Sequence, residues 1–210
     1  MIQKLHENDI GIIMDVVYNH IFKRETFETK IKGSINLRGS GKGTIQSGIG
    51  FLDHMLELFK FHAGFDLELD VEGDLHVCPH HTIEDIALAL GAAFQKALKD
   101  KKGIHRYATC YLPMDESLTR TVIDVSGRSY HVFLGQFNTE NVGQLPTEMI
   151  KHFFQSFSSA AGITLHQEIL YGDNDHHKIE SLFKGFARAI CQAISKRAGF
   201  DVLPSTKGVL

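Results

Sequence analysis

Tryptophan is absent from the 210 residues, and only three cysteines occur, Cys78, Cys110 and Cys191. An odd number without CxxC spacing gives no disulfide framework and fits reduced thiols, so the expected location is the cytoplasm. No apolar run approaches the roughly 20 residues of a membrane span. The N-terminus mixes Lys4, His6, Glu7 and Asp9 into its apolar residues and does not read as a signal peptide. Positive charge is not in excess either: 22 Lys and Arg stand against 25 Asp and Glu, a net charge of −3. With no basic stripe interleaved with aromatics, neither nucleic acid nor an anionic membrane is an expected partner. HExxH, its inverse and the GxxxxGK[ST] spacing are all missing, which speaks against a zinc protease and a phosphate loop.

Histidine is what the chain has in quantity, thirteen in all. Four of them belong to a phrase that occurs twice, His80-His81-Thr82-Ile83-Glu84 and His176-His177-Lys178-Ile179-Glu180. Each copy opens an apolar stretch of helical period, which puts the histidines and the glutamate in the first turn of a helix. On a helix, residues three and four apart share a face while neighbours diverge by about 100°. Glu84 therefore works with His80 or with His81 but not with both, and the imidazole left over must point elsewhere. Two phrases offer two His/Glu pairs and two further imidazoles, ligands for two metal ions. Imidazole with carboxylate suits zinc, manganese, iron or nickel.

The context of the phrase is repeated too. His54 precedes the first copy and His152 the second, each followed by an Ala-Gly that can close a helix, Ala63-Gly64 and Ala161-Gly162. A strand-like run follows (65–71; 163–170), then a Gly-Asp turn (Gly73-Asp74; Gly172-Asp173), then the His-His helix. The chain thus reads as two fused halves, 23–102 and 103–210, with a solvated seam at Lys99-Asp100-Lys101-Lys102-Gly103. Each half repeats a candidate ligand set of three His and one Glu: His54, His80, His81 and Glu84, then His152, His176, His177 and Glu180.

Residues 1–22 stand apart, read either as a leader or as carrying an ordinary extra strand over 11–18. Asp15-Val16-Val17-Tyr18-Asn19-His20 resembles the first motif of the α-amylase/pullulanase glycosidases, yet nothing after it could build an eight-stranded barrel. Residues 27–37 alternate as a strand. Residues 42–46 are expected to return as its partner, with Gly39-Ser40-Gly41-Lys42-Gly43 as the hairpin turn. Further strands are expected over 104–112, 118–125 and 130–134, and a helix over 146–160. After Phe200 the tail is irregular, and its Pro204-Ser205-Thr206-Lys207-Gly208 combines hydroxyls, a cation and glycine in a group able to bind phosphate. His76, His105 and His131 read as ordinary surface or satisfied residues, whereas His166 ends a strand near the second half-site.

From about Arg24 to Leu210 the chain resembles the imidazoleglycerol-phosphate dehydratases. The resemblance rests on Gly48-Ile49-Gly50-Phe51-Leu52-Asp53-His54-Met55, His80-His81-Thr82-Ile83-Glu84-Asp85, Pro113-Met114-Asp115-Glu116, Asp124-Val125-Ser126-Gly127-Arg128, the second His-His phrase with Phe183-Lys184, and Pro204 to Gly208. It implies a hydro-lyase of histidine biosynthesis that converts imidazole glycerol phosphate to imidazole acetol phosphate and water. The implied fold is a duplicated α+β unit, two mixed β-sheets with helices packed between them, of the ribosomal protein S5 domain 2-like kind. Two manganese ions per active site are implied on the eight ligands named above, at interfaces between subunits of a homo-oligomer, a 24-mer in the family. Substrate would meet Glu28, His54, His62, His80, Arg106, Arg128, His176, Lys184, Ser205, Thr206 and Lys207, the two arginines and the tail gripping phosphate. Glu28, which the resemblance sets on the first strand, would take part in proton transfer, and the base is one of Glu28, Glu84 and Glu180. One departure bears on the metal. Where the family usually has Asp two residues before the first His-His, this chain has Cys78 followed by Pro79, so a carboxylate that could orient a ligand histidine is lost. Two other readings use the same ligands: a dinuclear hydrolase, which leaves the arginines and the Ser-Thr-Lys tail unexplained, and a non-catalytic metal-assembled shell.

Overall fold

The computed structural model describes residues 19–210. In chain order, β1 (Asn19–Glu25), β2 (Thr29–Asn36), β3 (Ile45–Gln46), α1 (Gly50–Ala63), β4 (Asp66–Gly73) and α2 (His80–Leu98) form the first half. The second half comprises β5 (Tyr107–Met114), β6 (Ser117–Asp124), β7 (Tyr130–Leu134), a small ribbon of β8 (Asn141–Val142) and β9 (Leu145–Pro146), α3 (Glu148–Ala161), β10 (Thr164–Tyr171) and α4 (Asp175–Ile194). The long strands alternate in burial, β6 without a break, which is the period-2 signature of a sheet with one face on the core.

Two four-stranded sheets result, ordered β1-β2-β4-β3 and β5-β6-β10-β7. Each has two antiparallel pairings and a final parallel one, β3 on β4 and β7 on β10. The same topology therefore occurs twice. Gly64 (φ 68) and Gly162 (φ 64) close α1 and α3 in the left-handed conformation, as the two Ala-Gly pairs suggested.

Two expectations need correction. Residues 1–18 of the expected leader lie outside the described residues, but its last four, Asn19 to Phe22, are part of β1, paired with Asn36 to Gly33, and Phe22 is buried. The boundary expected after residue 22 thus falls inside a strand. Residues 42–46, expected to pair with the strand of 27–37, instead lie along β4. Both edges of β2 are already taken by β1 and β4, so the free edge is that of β4. The glycine-rich stretch is no simple hairpin turn: Asp66 Oδ1 accepts from the backbone N–H groups of Ser40 (2.8 Å) and Lys42 (3.0 Å). Leu67 and Leu69 then donate to the carbonyls of Lys42 and Thr44. Gly43 (φ 114) permits this approach, since a Cβ there would stand 2.1 Å from the Leu67 carbonyl oxygen.

The four helices of the described residues lie between the sheets and exchange partners across the halves. α2 covers β1 and β2, α4 covers β5 and β6, and the helix contacts run α1 with α4 and α2 with α3. Phenylalanine fills the shared core. Phe59 of α1 stacks on Phe186 of α4 at 5.4 Å, and Phe157 of α3 meets the edge of Phe186 at 5.2 Å. Burying each such ring is worth roughly 1.5–3 kcal/mol, and suitably tilted pairs add about 0.5–1.5 kcal/mol. Where α2 crosses α3, Gly91 has no room for a side chain: a Cβ would lie 2.5 Å from the Phe157 carbonyl oxygen. The halves consequently share one continuous core rather than two.

Candidate metal centre

The exchanged helix pairs decide which ligands meet. His54 of α1 does not join His80 and Glu84 of its own half; it faces α4, its Nε2 donating to Glu180 Oε1 at 2.9 Å. His176, one turn before Glu180, brings its Nε2 to 3.8 Å from the same oxygen. The counterpart mirrors this. His152 of α3 faces α2, its Nε2 3.5 Å from Glu84 Oε2, and His80 Nε2 lies 3.9 Å from that atom. Two triads result, His54/His176/Glu180 and His80/Glu84/His152, each with ligand atoms within 4.8 Å of one another. That is close to the ~4 Å that two ligands can span when each lies about 2.1 Å from a shared ion. In the second triad His152 Nε2 is buried and makes no hydrogen bond among the described residues, so its lone pair suits a cation.

His81 and His177 stand outside both triads. Each has Nδ1 bonded to a carboxylate, His81 to Asp74 Oδ2 at 3.0 Å and His177 to Glu116 Oε2 at 2.6 Å. Asp74 raises the His81 pKa and Glu116 raises that of His177, each chiefly through its hydrogen bond. A carboxylate on Nδ1 fixes the tautomer and leaves Nε2 as the outward ligand atom, the arrangement that orients histidine towards a metal. Glu116 is itself held far below the usual carboxylate range, first by the backbone N–H of Asn174 and then by His177. Sequence reasoning missed Asp74 and Glu116 as orienting groups. Asp74, which the sequence marks only as part of a Gly-Asp turn, supplies for His81 a carboxylate of the kind whose loss Cys78 suggests.

The electrostatics differ between the glutamates. Burial would raise the Glu180 carboxyl, but hydrogen bonds from Lys184 Nζ (2.9 Å) and His54 outweigh it and hold the pKa below the ordinary value. Burial, and then the nearby Lys184 and Arg188 cations, lower the His62 pKa, which places it beside Lys184 near the first triad. Glu28 does not lie on a strand; it sits exposed in the turn between β1 and β2. Among the described residues no hydrogen bond or ion pair engages its carboxylate, although its charge is felt at His81.

The expected phosphate residues gather elsewhere. Arg106, with φ 73, donates to Asp124 through Nε (2.7 Å) and Nη2 (3.1 Å) and to the Pro204 carbonyl through Nη1 (2.8 Å). This brings Ser205, Thr206 and Lys207 to the start of β5, and Leu210 packs on Gly127 next to Arg128. Lys101 joins them, its pKa lowered by burial and by Arg106. His166 lies exposed on the outer face of the second sheet. His131 is half-buried, bonded to Gln167 Oε1 at 3.3 Å, and burial pushes its pKa down to about 4.

A family model described as imidazoleglycerol-phosphate dehydratase matches residues 47–190, more than half of the chain. The chain belongs to the imidazoleglycerol-phosphate dehydratase family. Among relatives of that name, the Clostridium botulinum protein is 55% identical over 188 residues, covering 90% of this chain and 96% of its own. The Methylorubrum populi protein is 56% identical over 188 residues, covering 89% and 96%. The fold agrees with crystal structures of imidazoleglycerol-phosphate dehydratase from Staphylococcus aureus and Pyrococcus furiosus. The first has a TM-score of 0.78 at 38% identity, covering 85% of this chain and 99% of that one. The second has a TM-score of 0.78 at 31% identity, covering 90% of this chain and all of that one. The dehydratase family is one of hydro-lyases, and both triads fall in or beside its matched span, His54 to Glu180.

Proposed function

We propose that this chain catalyses dehydration of imidazole glycerol phosphate to imidazole acetol phosphate in histidine biosynthesis, in the cytoplasm, using two manganese ions per active site. The observation that carries it is the pair of His-His-Glu triads, each assembled from both halves. His54, His176 and Glu180 would hold one ion and His80, Glu84 and His152 the other, with His81 and His177 presenting Nε2 from their carboxylate-bound rings. Bound divalent cations would stabilise negative charge on the substrate's imidazole ring. The chain's own residues move the protons. Glu180 has both oxygens engaged and Glu84 lies between two imidazoles, so Glu28, exposed and without a bond among the described residues, is the group free to take the proton from the carbon next to the ring. His62 and Lys184 line the approach to the first triad.

The phosphate grip of Arg106, Arg128, Ser205, Thr206 and Lys207 supports a homo-oligomer. His177 meets Glu116 at the β5–β6 turn, whereas Arg106 precedes β5 at the other end. The eight residues of β5 span about 24 Å at roughly 3.4 Å per residue. The helix agrees: His176 opens α4 and the Ala193 carbonyl near its end accepts from the Arg106 N–H, about 25 Å away at 1.5 Å per residue. A substrate of one ring, three carbons and a phosphate is far too short to touch both, so the phosphate group of one subunit serves the metal ligands of another.

The test is turnover of imidazole glycerol phosphate by purified protein with and without added manganese. Product formed only with metal, and lowered about 10²–10⁴-fold in Glu28→Gln, is the expected result. A fully metal-loaded particle with no dehydratase activity would leave the histidines a purely structural role.

A further inference from the structure

We infer that Asp85, together with Arg24, is a positioning residue that sets the Glu28 turn against the metal-ligating end of α2. The inference rests on the dehydratase reading and adds to it a residue that touches neither substrate nor metal. Asp85 follows Glu84 directly, but its side chain points back into the fold and is buried. Its Oδ1 accepts from Arg24 Nε at 2.7 Å and lies 2.6 Å from Arg24 Nη2. Its Oδ2 accepts from Thr26 Oγ1 at 3.2 Å and from Thr29 Oγ1. Thr26 in turn organises the turn itself: its Oγ1 accepts from the backbone N–H of Glu28 (3.2 Å) and of Thr29 (3.0 Å), and its own N–H donates to the Thr29 carbonyl (2.9 Å). Three side chains, those of Arg24, Thr26 and Thr29, thus close on one carboxylate, and the side chains of Phe27 and Glu28 are left projecting into solvent.

The second half shows what this costs and why it is not repeated. At the place of Asp85 it carries Ser181, whose hydroxyl bonds Thr119 Oγ1 (2.7 Å) and the Leu112 carbonyl (2.6 Å) within the sheet. There the β5–β6 turn is fastened directly, by Glu116 accepting from the backbone of Asp173 and Asn174 and bonding His177. Its glutamate is consumed in holding the helix. In the first half the fastening is handed to Asp85 and the orienting of His81 to Asp74, so the turn glutamate stays unbonded. A buried, multiply bonded carboxylate on the same helix turn as His81 and Glu84 fixes the separation between base and metal ligands, and reactions of this kind are sensitive to about 1 Å in such a separation.

The experiment is a double-mutant cycle on the assembled, manganese-loaded enzyme, measuring kcat, KM and bound metal for Asp85→Asn, Glu28→Gln and the pair. If Asp85 acts through Glu28, Asp85→Asn lowers kcat about 10–100-fold, with KM and metal content within about 2-fold of the parent. Added to Glu28→Gln it then costs less than about 2-fold more, because the group it positions is already gone. Thr26→Val, which keeps the Arg24–Asp85 ion pair, should reproduce the kcat loss and serves where Asp85→Asn does not assemble. Multiplying losses in the double variant, an unchanged kcat, or a kcat loss that tracks lost metal overturns the inference. Absence of turnover in the unmodified enzyme instead overturns the dehydratase reading beneath it.

Discussion

Individual side chains divide the labour at the candidate centre more sharply than their spelling suggests. His80 and His81 are neighbours in sequence, yet one turns to the triad and the other to Asp74. Helical geometry made that divergence legible, since adjacent residues cannot share a face. The partner of the second imidazole was not legible, because Asp74 and Glu116 reach it from loops whose approach depends on the finished fold. Removing either carboxylate leaves the ring in place but frees its tautomer. Asp74→Asn and Glu116→Gln should each weaken manganese binding about 10–100-fold, read by competition with a fluorescent chelator, with secondary structure unchanged by circular dichroism. Glu28 is singled out only by the family resemblance, for one exposed glutamate carries no pattern of its own.

Among the elements, strands and helices were largely visible in the sequence: alternating burial in β2, β4, β6 and β10, and Ala-Gly closures after α1 and α3. Pairing was less visible. β3 is two residues long, and its position on β4 follows from Asp66 gathering the preceding loop rather than from any hydrophobic pattern. The grouping of ligands was hidden for a similar reason: spacing places His54 near the first phrase along the chain, but the choice of partner belongs to helix packing. Gly91 marks that packing. Gly91→Ala should push α2 from α3 and cost about 1–3 kcal/mol in a denaturant titration. Because His152 rides on α3, the second triad should lose metal affinity while the first keeps it, giving an occupancy nearer one ion than two.

At the scale of the whole molecule, the length of α4 separates the candidate metal triads from the proposed phosphate grip by far more than a substrate can bridge. Complementation between subunits follows. Co-expression of His54→Ala with Lys207→Ala, each severely impaired alone, should yield mixed particles that regain a sizeable part of the activity, because some sites receive an intact group from each parent. Two variants that both alter the metal ligands, His54→Ala with His176→Ala, should regain none, since both belong to one triad on one chain. Nothing in the sequence announced this separation. It appears only when Arg106 and the tail are seen at the far end of the second sheet.

The crossed helix contacts also bear on ancestry. No half-length chain with this topology carries a complete triad: α1 lacks its glutamate without α4, and α2 lacks its third histidine without α3. A forerunner of half the size, before it was joined end to end with its own copy, could have chelated an ion only by embracing a twin. Joining the copies end to end would turn a meeting between two molecules into a fold within one and leave each copy free to diverge, as the turn glutamates have: Glu116 is a strut, while Glu28 makes no such bond among the described residues.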